Sequence, residues 1–506
     1  MNNFNNLPES YWLDSTEKTN YPSLDKDMEV DVAIIGGGMA GITAGFILKR
    51  RGLKVAVLEV DRILEGTTAK TTAKITSQHG LFYDNLINNV GEEKARQYAD
   101  ANESAKEFIQ SIIEEKGIDC DFSIMPAYVY TQDDSYVEKI KKEVEAASRL
   151  GIDASFVSDT HLPFPIKGAV RFENQAQFHP RKYLLELAKE IPGEGSHIFE
   201  NTKVLDVKEN TPNEVIIENG YTVKANKVII ASHYPMENLK GLYFSRIYTE
   251  RAYIIGVLAE ENFPEGMYIN AESPTRSLRR QRYKDGQMIL IAGENHKTGQ
   301  GKSTEVHYNS LKQFAEDNFT IKDIPYRWST QDCMTMDDIP FIGHITSNTK
   351  GIYVATGFKK WGMTNSTASA MILSDIITEG YSTHSEVFDP SRSDIKGGIG
   401  TFIKENLNVG YEFIKGKLNL EDNDTEITTG EGKVVDFKGK RVGFYRNTDG
   451  KTYIVDTTCT HLGCELQWNK AEKSWDCPCH GSRFSYDGKI IEGPALKELD
   501  VTIIED

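Results

Sequence analysis

The sequence predicts an α/β dinucleotide-binding domain, interrupted by an antiparallel sheet and followed by a small all-β module. Three observations predict it. Residues 30–59 read as strand, glycine turn, helix, strand and acid. Alternating strands with a hairpin signal lie between 251 and 292, and short strands carrying cysteine–histidine loops follow residue 426. A chain of 506 residues has room for several domains with cores of ordinary size.

The first stretch, VDVAIIGGGMAGITAGFILKRRGLKVAVLE, places a strand at 30–35, a helix at about 39–52 and a second strand at 54–58. Gly36, Gly38 and Gly41 supply G-x-G-x-x-G, and Glu59 follows Gly36 by 23 residues. The first glycine makes the tight turn, the second lets pyrophosphate approach the backbone, and the third lets helix meet strand. Met39 and Ala40 open the helix, whose N-terminus offers N–H groups and partial positive charge to phosphates. Glu59, at the end of the second strand, is placed to accept hydrogen bonds from ribose hydroxyls.

Seventy-five acidic residues against 58 basic give a formal net charge of −17, which disfavours nucleic acid and anionic membrane as partners. That charge fits a soluble protein or one that docks a basic partner. No run of 18 apolar residues occurs, so no membrane span is expected. The opening MNNFNNLPESYW lacks a basic region followed by an apolar core, so no secretion signal is expected and the compartment expected is cytoplasmic. Cys120 and Cys333 are scattered, as small buried hydrophobes would be in a reducing compartment. The other four cysteines crowd into 21 positions and require their own explanation.

Residues 1–29 are polar, carry Pro8 and Pro22, and read as an extension lying over the first domain. After Glu59 comes GTTAKTTAK at 66–74, small residues and hydroxyls suited to run beside a large planar ligand or, alternatively, to form a solvated loop. A charged helix is expected at 92–117, a strand at 121–130, another charged helix at 136–150, and a helix opening near Pro180 in 178–188. Residues 203–219 and 221–232 alternate as strands. The segment 251–259 and a hairpin 277–283/287–292, turning at Asp285 and Gly286, indicate a second, antiparallel sheet roofing a ligand. Arg276, Arg279, Arg280 and Arg282 lie on or beside that hairpin. One of them pointing inward, with Arg276 the candidate, would clamp a substrate carboxylate. TMDDIPFIG at 335–343 and a strand, glycine turn and helix from 351 to 379 follow.

Over about its first 380 residues the chain resembles the flavin-dependent amine and amino-acid oxidoreductases of the D-amino-acid oxidase superfamily, which includes glycine and sarcosine oxidases. The matching residues are the glycine fingerprint with Glu59, Gly66–Thr68, the strand at 203–207, T-x-D-x-x-P-x-I-G at 335–343, and Gly357 with its helix. The resemblance implies a Rossmann-like FAD-binding domain at 30–380, with substrate-domain segments at about 85–170 and 245–325. It implies Val204 near adenine, and Thr67, Thr68, Thr72, Gly357, Trp361, Gly362, Met363 and Thr364 around the isoalloxazine. Catalysis in this superfamily rests on the flavin accepting hydride from a carbon next to nitrogen, with a positive charge nearby. Lys74 and Lys360 are candidates for that charge. His79 is a possible covalent attachment point, with an ordinary buried histidine as the alternative.

A linker is expected at 381–425. Ile399, Phe402, Ile403, Phe413 and Ile414 give it a moderately amphipathic helix interrupted by glycines. The expectation is that this helix packs on the flavin domain; the alternative, a membrane surface, is disfavoured by its mixed charges. The polar seam EDNDT at 421–425 marks the domain boundary. Short strands at 433–436, 441–445 and 452–455, with turns at Asp449–Gly450 and Asp487–Gly488, form an all-β module at 426–506.

That module carries C-T-H-L-G-C at 459–464 and C-P-C-H-G-S at 477–482. Two cysteines and two histidines are also a zinc set. C-x-H together with C-x-x-H places one of each residue on two loops, which suits a 2Fe–2S cluster with thiolates on one iron and imidazoles on the other. The module resembles the disulfide-bearing Rieske domains of quinol-oxidising complexes. The resemblance implies Cys459, Cys477, His461 and His480 as ligands, a Cys464–Cys479 disulfide, and Ser482 donating to a bridging sulfur. Gly493–Ala495 corresponds to the proline loop over the cluster. Phe484 stands where high-potential members have tyrosine, which removes one hydrogen bond to a cysteine sulfur and lowers the potential.

Taken together, the two resemblances imply FAD and a Rieske 2Fe–2S cluster in one chain. FAD takes two electrons as hydride and the cluster takes one at a time. Histidine ligation sets cluster potentials at roughly −150 to +300 mV, above most flavins, so the downhill direction runs from flavin to cluster. The expectation is a dehydrogenase for a small amine or amino acid, with a separate one-electron acceptor and possible oligomerisation. Two alternatives stay open: a reductase running from a donor protein through cluster and flavin to substrate, and a redox sensor or electron carrier without small-molecule chemistry.

Overall fold

A computed structural model describes residues 8–236, 240–301, 303–392, 398–418, 427–437 and 440–505. The seam expected at 421–425 lies outside the described residues.

The glycine-turn region is the middle of an eight-stranded sheet. Met28–Ile35 lies between Val55–Leu58 and Thr222–Ile230, with His197–Phe199 and Ile352–Thr356 outside them, all parallel. Phe341–His344 and the hairpin Val204–Lys208/Asn213–Ile217 add antiparallel edges. Val55–Leu58 is buried at every position, as expected of a strand covered on both faces. The helix Met39–Arg50 is buried from Met39 through Leu48 and packs against the helix Gly362–Glu379. It ends two residues before the expected limit.

The roof is a nine-stranded sheet. Ile321–Thr335, Ile247–Ala259, Gly286–Lys297, Arg276–Tyr283, Met267–Asn270, Ser123–Thr131, Gly168–Gln177 and Lys74–Ile75 follow in that order, with Ala154–Val157 also on Gly168–Gln177. Every pair is antiparallel except Met267–Asn270 with Ser123–Thr131. The sheet therefore extends beyond the expected segments to 177 and 335, and it takes in Lys74–Ile75 beside the small-residue loop. The hairpin turns one residue earlier than expected: Lys284 adopts φ +49° and Tyr283 pairs with Gly286.

The N-terminal segment does more than lie over this domain. Its short helix Tyr11–Asp14 inserts a fully buried Trp12, whose Nε1 donates to Thr71 O (2.8 Å), and the Glu9 N–H donates to Arg327 O (2.8 Å). It thus wedges the loop after Glu59 against the roof.

The C-terminal module has two four-stranded sheets. One contains Gly432–Phe437, Lys440–Arg446, Thr452–Asp456 and Val501–Ile504; the other contains Gln467–Asn469, Ser474–Asp476, Arg483–Ser485 and Ile490–Glu492. Between them lies a core of Val455, Leu466, Trp475 and Phe484 with the four clustered cysteines. The helix Gly398–Leu418 precedes the module. Its apolar residues Ile399, Phe402, Ile403, Phe413 and Ile414 face solvent, so the helix meets the flavin domain, as expected, but through its polar side. The contacts with the rest of the chain are made by residues such as Glu405, Asn406, Asn408, Val409, Gly416 and Lys417.

Candidate functional site

The expected dinucleotide residues gather at the C-terminal ends of the parallel strands, where ligands of open α/β sheets bind. A Cβ on Gly41 would stand 1.9 Å from Gly36 O, so only glycine lets the helix start this close to the strand end. Gly38 caps the helix without a side chain, leaving its N-terminus open to a ligand. The Met39 N–H donates to Thr68 Oγ1 (3.0 Å), which seats the turn Thr67–Lys70 beside the glycines. Glu59 accepts from the N–H groups of Gly37 (2.7 Å) and Asp61 (3.1 Å); burial pushes its carboxyl up, against those donors. The Thr202 N–H donates to Glu59 O (2.8 Å), so Val204 begins its strand, buried, close to this acid. These features fit a dinucleotide: a glycine cradle, a helix start whose cap residue brings no side chain, and an acid at the next strand end.

The segments expected around the isoalloxazine also meet. Thr364 Oγ1 donates to Thr76 O (2.9 Å) and lies 3.2 Å from His79 Nε2, and Trp361 stacks on His79 with centroids 5.0 Å apart. Gly357 opens this turn and Gly362 and Met363 begin its helix. His79 accepts from Tyr98 Oη at Nδ1 (2.6 Å) and donates from Nε2 to Thr76 O (2.9 Å). Both ring nitrogens are engaged, and burial pushes its pKa down to about 3. His79 is thus a buried histidine with both ring nitrogens hydrogen-bonded.

Of the expected cations, Lys74 Nζ donates to Tyr268 O (3.0 Å) at the junction of loop and roof. Burial and the charge of Arg279 push it down to about 7. Lys360 is held by Glu250 (3.1 Å) and Asp332 (3.9 Å), and Arg276 by Glu294 (2.5 Å). The arginine that points inward from the hairpin is Arg279. It is fully buried, its Nε donates to Thr72 O, and it also bonds Gln281 (3.0 Å).

In the C-terminal module, Cys459 and Cys477 are buried free thiols, while Cys464 and Cys479 form a disulfide. The Cys477 thiol, with the N–H of His461 and the Ser482 hydroxyl, draws the Cys459 thiol down to about 7. Burial lowers His461 to about 4 and His480 to about 3, so both imidazoles are neutral at pH 7, the form that ligates metal. Their rings stand 5.0 Å apart at 88°. The buried Nδ1 of His480 has no hydrogen-bond partner among the described residues. Two thiols on one side and two neutral imidazoles on the other fit the mixed ligand set of a Rieske cluster. The Ala495 N–H donates to Ser482 Oγ (3.0 Å), bringing the Gly493–Ala495 segment over the loops. Phe484 is fully buried beside Trp475 and supplies no hydroxyl.

The two sites are joined by residues that carry no sequence motif. Gln331, on the longest roof strand, donates from Nε2 to Gly481 O (3.0 Å), accepts from Thr298 Oγ1 (2.9 Å), and receives a hydrogen bond at its carbonyl from His233 (2.9 Å). Gln300 donates to Pro478 O (3.1 Å). Glu492 binds Arg251 (3.1 Å), Arg483 (3.1 Å) and Lys70 (3.5 Å), the last from the loop beside the glycine turn. The Phe244 ring lies 6.1 Å from His480, which is buried, whereas His461 on the other loop is only half-buried. Nothing in the sequence marks these contacts, because their partners lie far apart on separate elements, as Arg251 and Lys70 do from Glu492.

Comparison with known proteins agrees with this geometry. Residues 31–376 match the family model for FAD dependent oxidoreductase, and 419–503 match that for the Rieske [2Fe-2S] domain. A Bacillus subtilis (strain 168) protein that carries the name Rieske 2Fe-2S iron-sulfur protein YhfW is 44% identical over 493 residues, 97% of each chain. The crystal structure of glycine oxidase from Geobacillus kaustophilus superposes with a TM-score of 0.60 at 17% identity, covering 72% of this chain and 99% of that one. L-proline dehydrogenase from P. horikoshii gives 0.60 at 19%, covering 73% and 98%. The mixed sheets, the glycine cradle and the paired thiols and imidazoles thus have one explanation: the chain belongs to the FAD-dependent oxidoreductase family and carries a Rieske [2Fe-2S] domain at its C-terminal side.

Proposed function

We propose that the chain is a dehydrogenase that oxidises an amine or amino acid at the carbon next to nitrogen and passes the electrons singly to an external acceptor. When bound, FAD supplies hydride acceptance and the 2Fe–2S cluster supplies one-electron transfer. The observation that carries the reading is the asymmetry of the two cluster loops. The His480 loop is fastened to the roof through Gly481 and Gln331, while His461 is half-buried. In this reading His480 faces the electron source inside the chain and His461 faces the partner outside.

Gly36, Gly38, Met39, Ala40, Gly41 and Glu59 would hold the pyrophosphate and ribose, and Val204 the adenine. Thr67, Thr68, Thr72, Gly357, Trp361, Gly362, Met363 and Thr364 would surround the ring. Cys459, Cys477, His461 and His480 would hold the cluster, with Ser482 donating to it. We assign Lys74 as the positive charge that favours hydride arrival, because Lys360 and Arg276 are already neutralised by carboxylates. Arg279 holds the Thr72 loop to the roof. The substrate class is supported by the fold's likeness to proteins named for glycine and L-proline. The compartment we assign is the cytoplasm, where Cys120 and Cys333 remain free thiols.

The test is anaerobic mixing of the cofactor-loaded protein with glycine, sarcosine, proline and other amino acids of both hands, following flavin absorbance and the reduced Rieske EPR signal. The reading expects flavin bleaching followed by the EPR signal. Reduction of the cluster by a donor protein alone, with the flavin reduced afterwards, would establish the reverse direction and overturn it.

A further inference from the structure

The helix Gly398–Leu418 turns its apolar side away from the rest of the chain. Its inward side is polar or small. Glu405 is salt-bridged to Lys297, Asn408 accepts from Lys297 (3.1 Å) and Gln300 (2.8 Å), and Gly416 lies against Glu465. Its outward side carries Ile399, Phe402, Ile403, Leu407, Tyr411 and Ile414, between 42% and 68% exposed. Residues three and four apart share a helix face, so these side chains make one stripe about 22 Å long. A contiguous apolar stripe of this kind marks an interaction surface.

The charges around the stripe select its occupant. Lys404, Lys415 and Lys417 are exposed, whereas both acids of the helix, Glu405 and Glu412, turn inward, their side chains 7% and 14% exposed. Lys415 and Lys417 reach Glu412 and Glu465, and neither carboxylate lies on the outward face. Among the described residues of a chain of net charge −17, this face therefore presents lysines and no carboxylate. A second copy would be a poor occupant, since a parallel two-fold sets each lysine against its mate and an antiparallel one, centred on the stripe, sets Lys404 and Lys415 opposite apolar or glycine positions that offer no carboxylate. Repulsion from the distant acidic surface decays within about 8 Å at physiological ionic strength, so the local face decides contact.

We propose that this face rests on a lipid bilayer. The helix lies in the plane of the interface, with its stripe at the headgroup–acyl boundary and its lysines at anionic headgroups. Val409 O lies 4.0 Å from Cys479 Sγ, and Lys417 pairs with Glu465 on the other cluster loop (2.9 Å). The bilayer surface would then stand about one helix diameter, ~10 Å, from the cluster loops.

The test uses the full-length, cofactor-loaded protein sedimented with phosphatidylcholine vesicles, with and without phosphatidylglycerol. Co-sedimentation that is stronger with phosphatidylglycerol is expected. Ile403→Glu with Leu407→Glu should lower vesicle partitioning at least about tenfold while leaving flavin and cluster absorbance unchanged, because both side chains are exposed. Lys404→Gln with Lys415→Gln should remove the phosphatidylglycerol preference and leave the apolar binding. Wild-type protein that stays in the supernatant with both vesicles, or a double glutamate variant that sediments like wild type, would overturn the proposal. So would a wild-type dimer that binds no vesicles and becomes monomeric with the glutamates, since the stripe would then be a self-interface.

Discussion

Gly481, between His480 and Ser482, has φ +79°, and a Cβ there would stand 2.1 Å from Thr249 Oγ1. Two costs follow from one methyl: a left-handed backbone carrying a side chain, and overlap with a side chain of the roof. Gly481→Ala is expected to destabilise the protein by about 2 kcal/mol in denaturant titration, and adding Thr249→Ala to recover part of it. The recovery would show that the methyl meets Thr249 across the seam. Lys74 gives a second prediction. Burial and Arg279 lower its pKa to about 7, so its charge is lost as pH rises through 7 and not near the usual 10.5. The rate of flavin reduction by substrate should fall with pH through that region. Lys74→Met should be slower, by about tenfold, and lack that limb; one lost charge–charge interaction of about 1.4 kcal/mol accounts for the factor.

At the scale of elements, what could be read from the sequence follows burial. Val32–Ile35 and Val55–Leu58 announce themselves as continuous apolar runs because both faces of their sheet are buried, one under the helix Met39–Arg50 and the other under Val204, Val207 and Val215. Ile321–Thr335 does not, although it is the longest described strand. Its buried half reads WSTQDCMT, in which Ser329 and Gln331 meet hydrogen-bond partners on the seam instead of water, so period-two alternation is lost. The helix Gly398–Leu418 was legible as amphipathic, but which side met the chain was not. A stripe of Ile and Phe normally faces a core, and only the partners of Glu405 and Asn408 reveal the reverse. The wedge Tyr11–Asp14 is too short for any periodic signal. Its Trp12 is fully buried against Thr71, so Trp12→Ala is expected to cost about 3–5 kcal/mol and to release flavin more readily, read as melting temperature and flavin content after dialysis.

For the whole molecule, the sequence supplied each cofactor site and gave no sign of their docking. The glycine cradle and the two cysteine–histidine loops are local motifs, whereas the seam depends on side chains from distant elements meeting at Glu492. Burial alone would raise the Glu492 carboxyl, but Arg483, Lys70 and Arg251 outweigh it and hold the group well below the usual carboxylate range. A lowered folded-state pKa means that its stabilisation is complete above the unfolded value near 4.5 and is lost as pH falls below it. Glu492→Gln leaves three buried or half-buried cations without their shared carboxylate. It is expected to cost about 3–5 kcal/mol at neutral pH, with a smaller difference from wild type in acid, read from denaturation midpoints across pH. The central claim is that this seam lets electrons cross within one chain. It is tested most directly by reducing the flavin with light in the presence of EDTA, without oxygen, and following the cluster by rapid-freeze EPR over a range of protein concentrations. A reduced Rieske signal rising at a rate independent of protein concentration is predicted. A signal that never rises while the flavin stays bleached, or one whose rate scales with concentration, would contradict it.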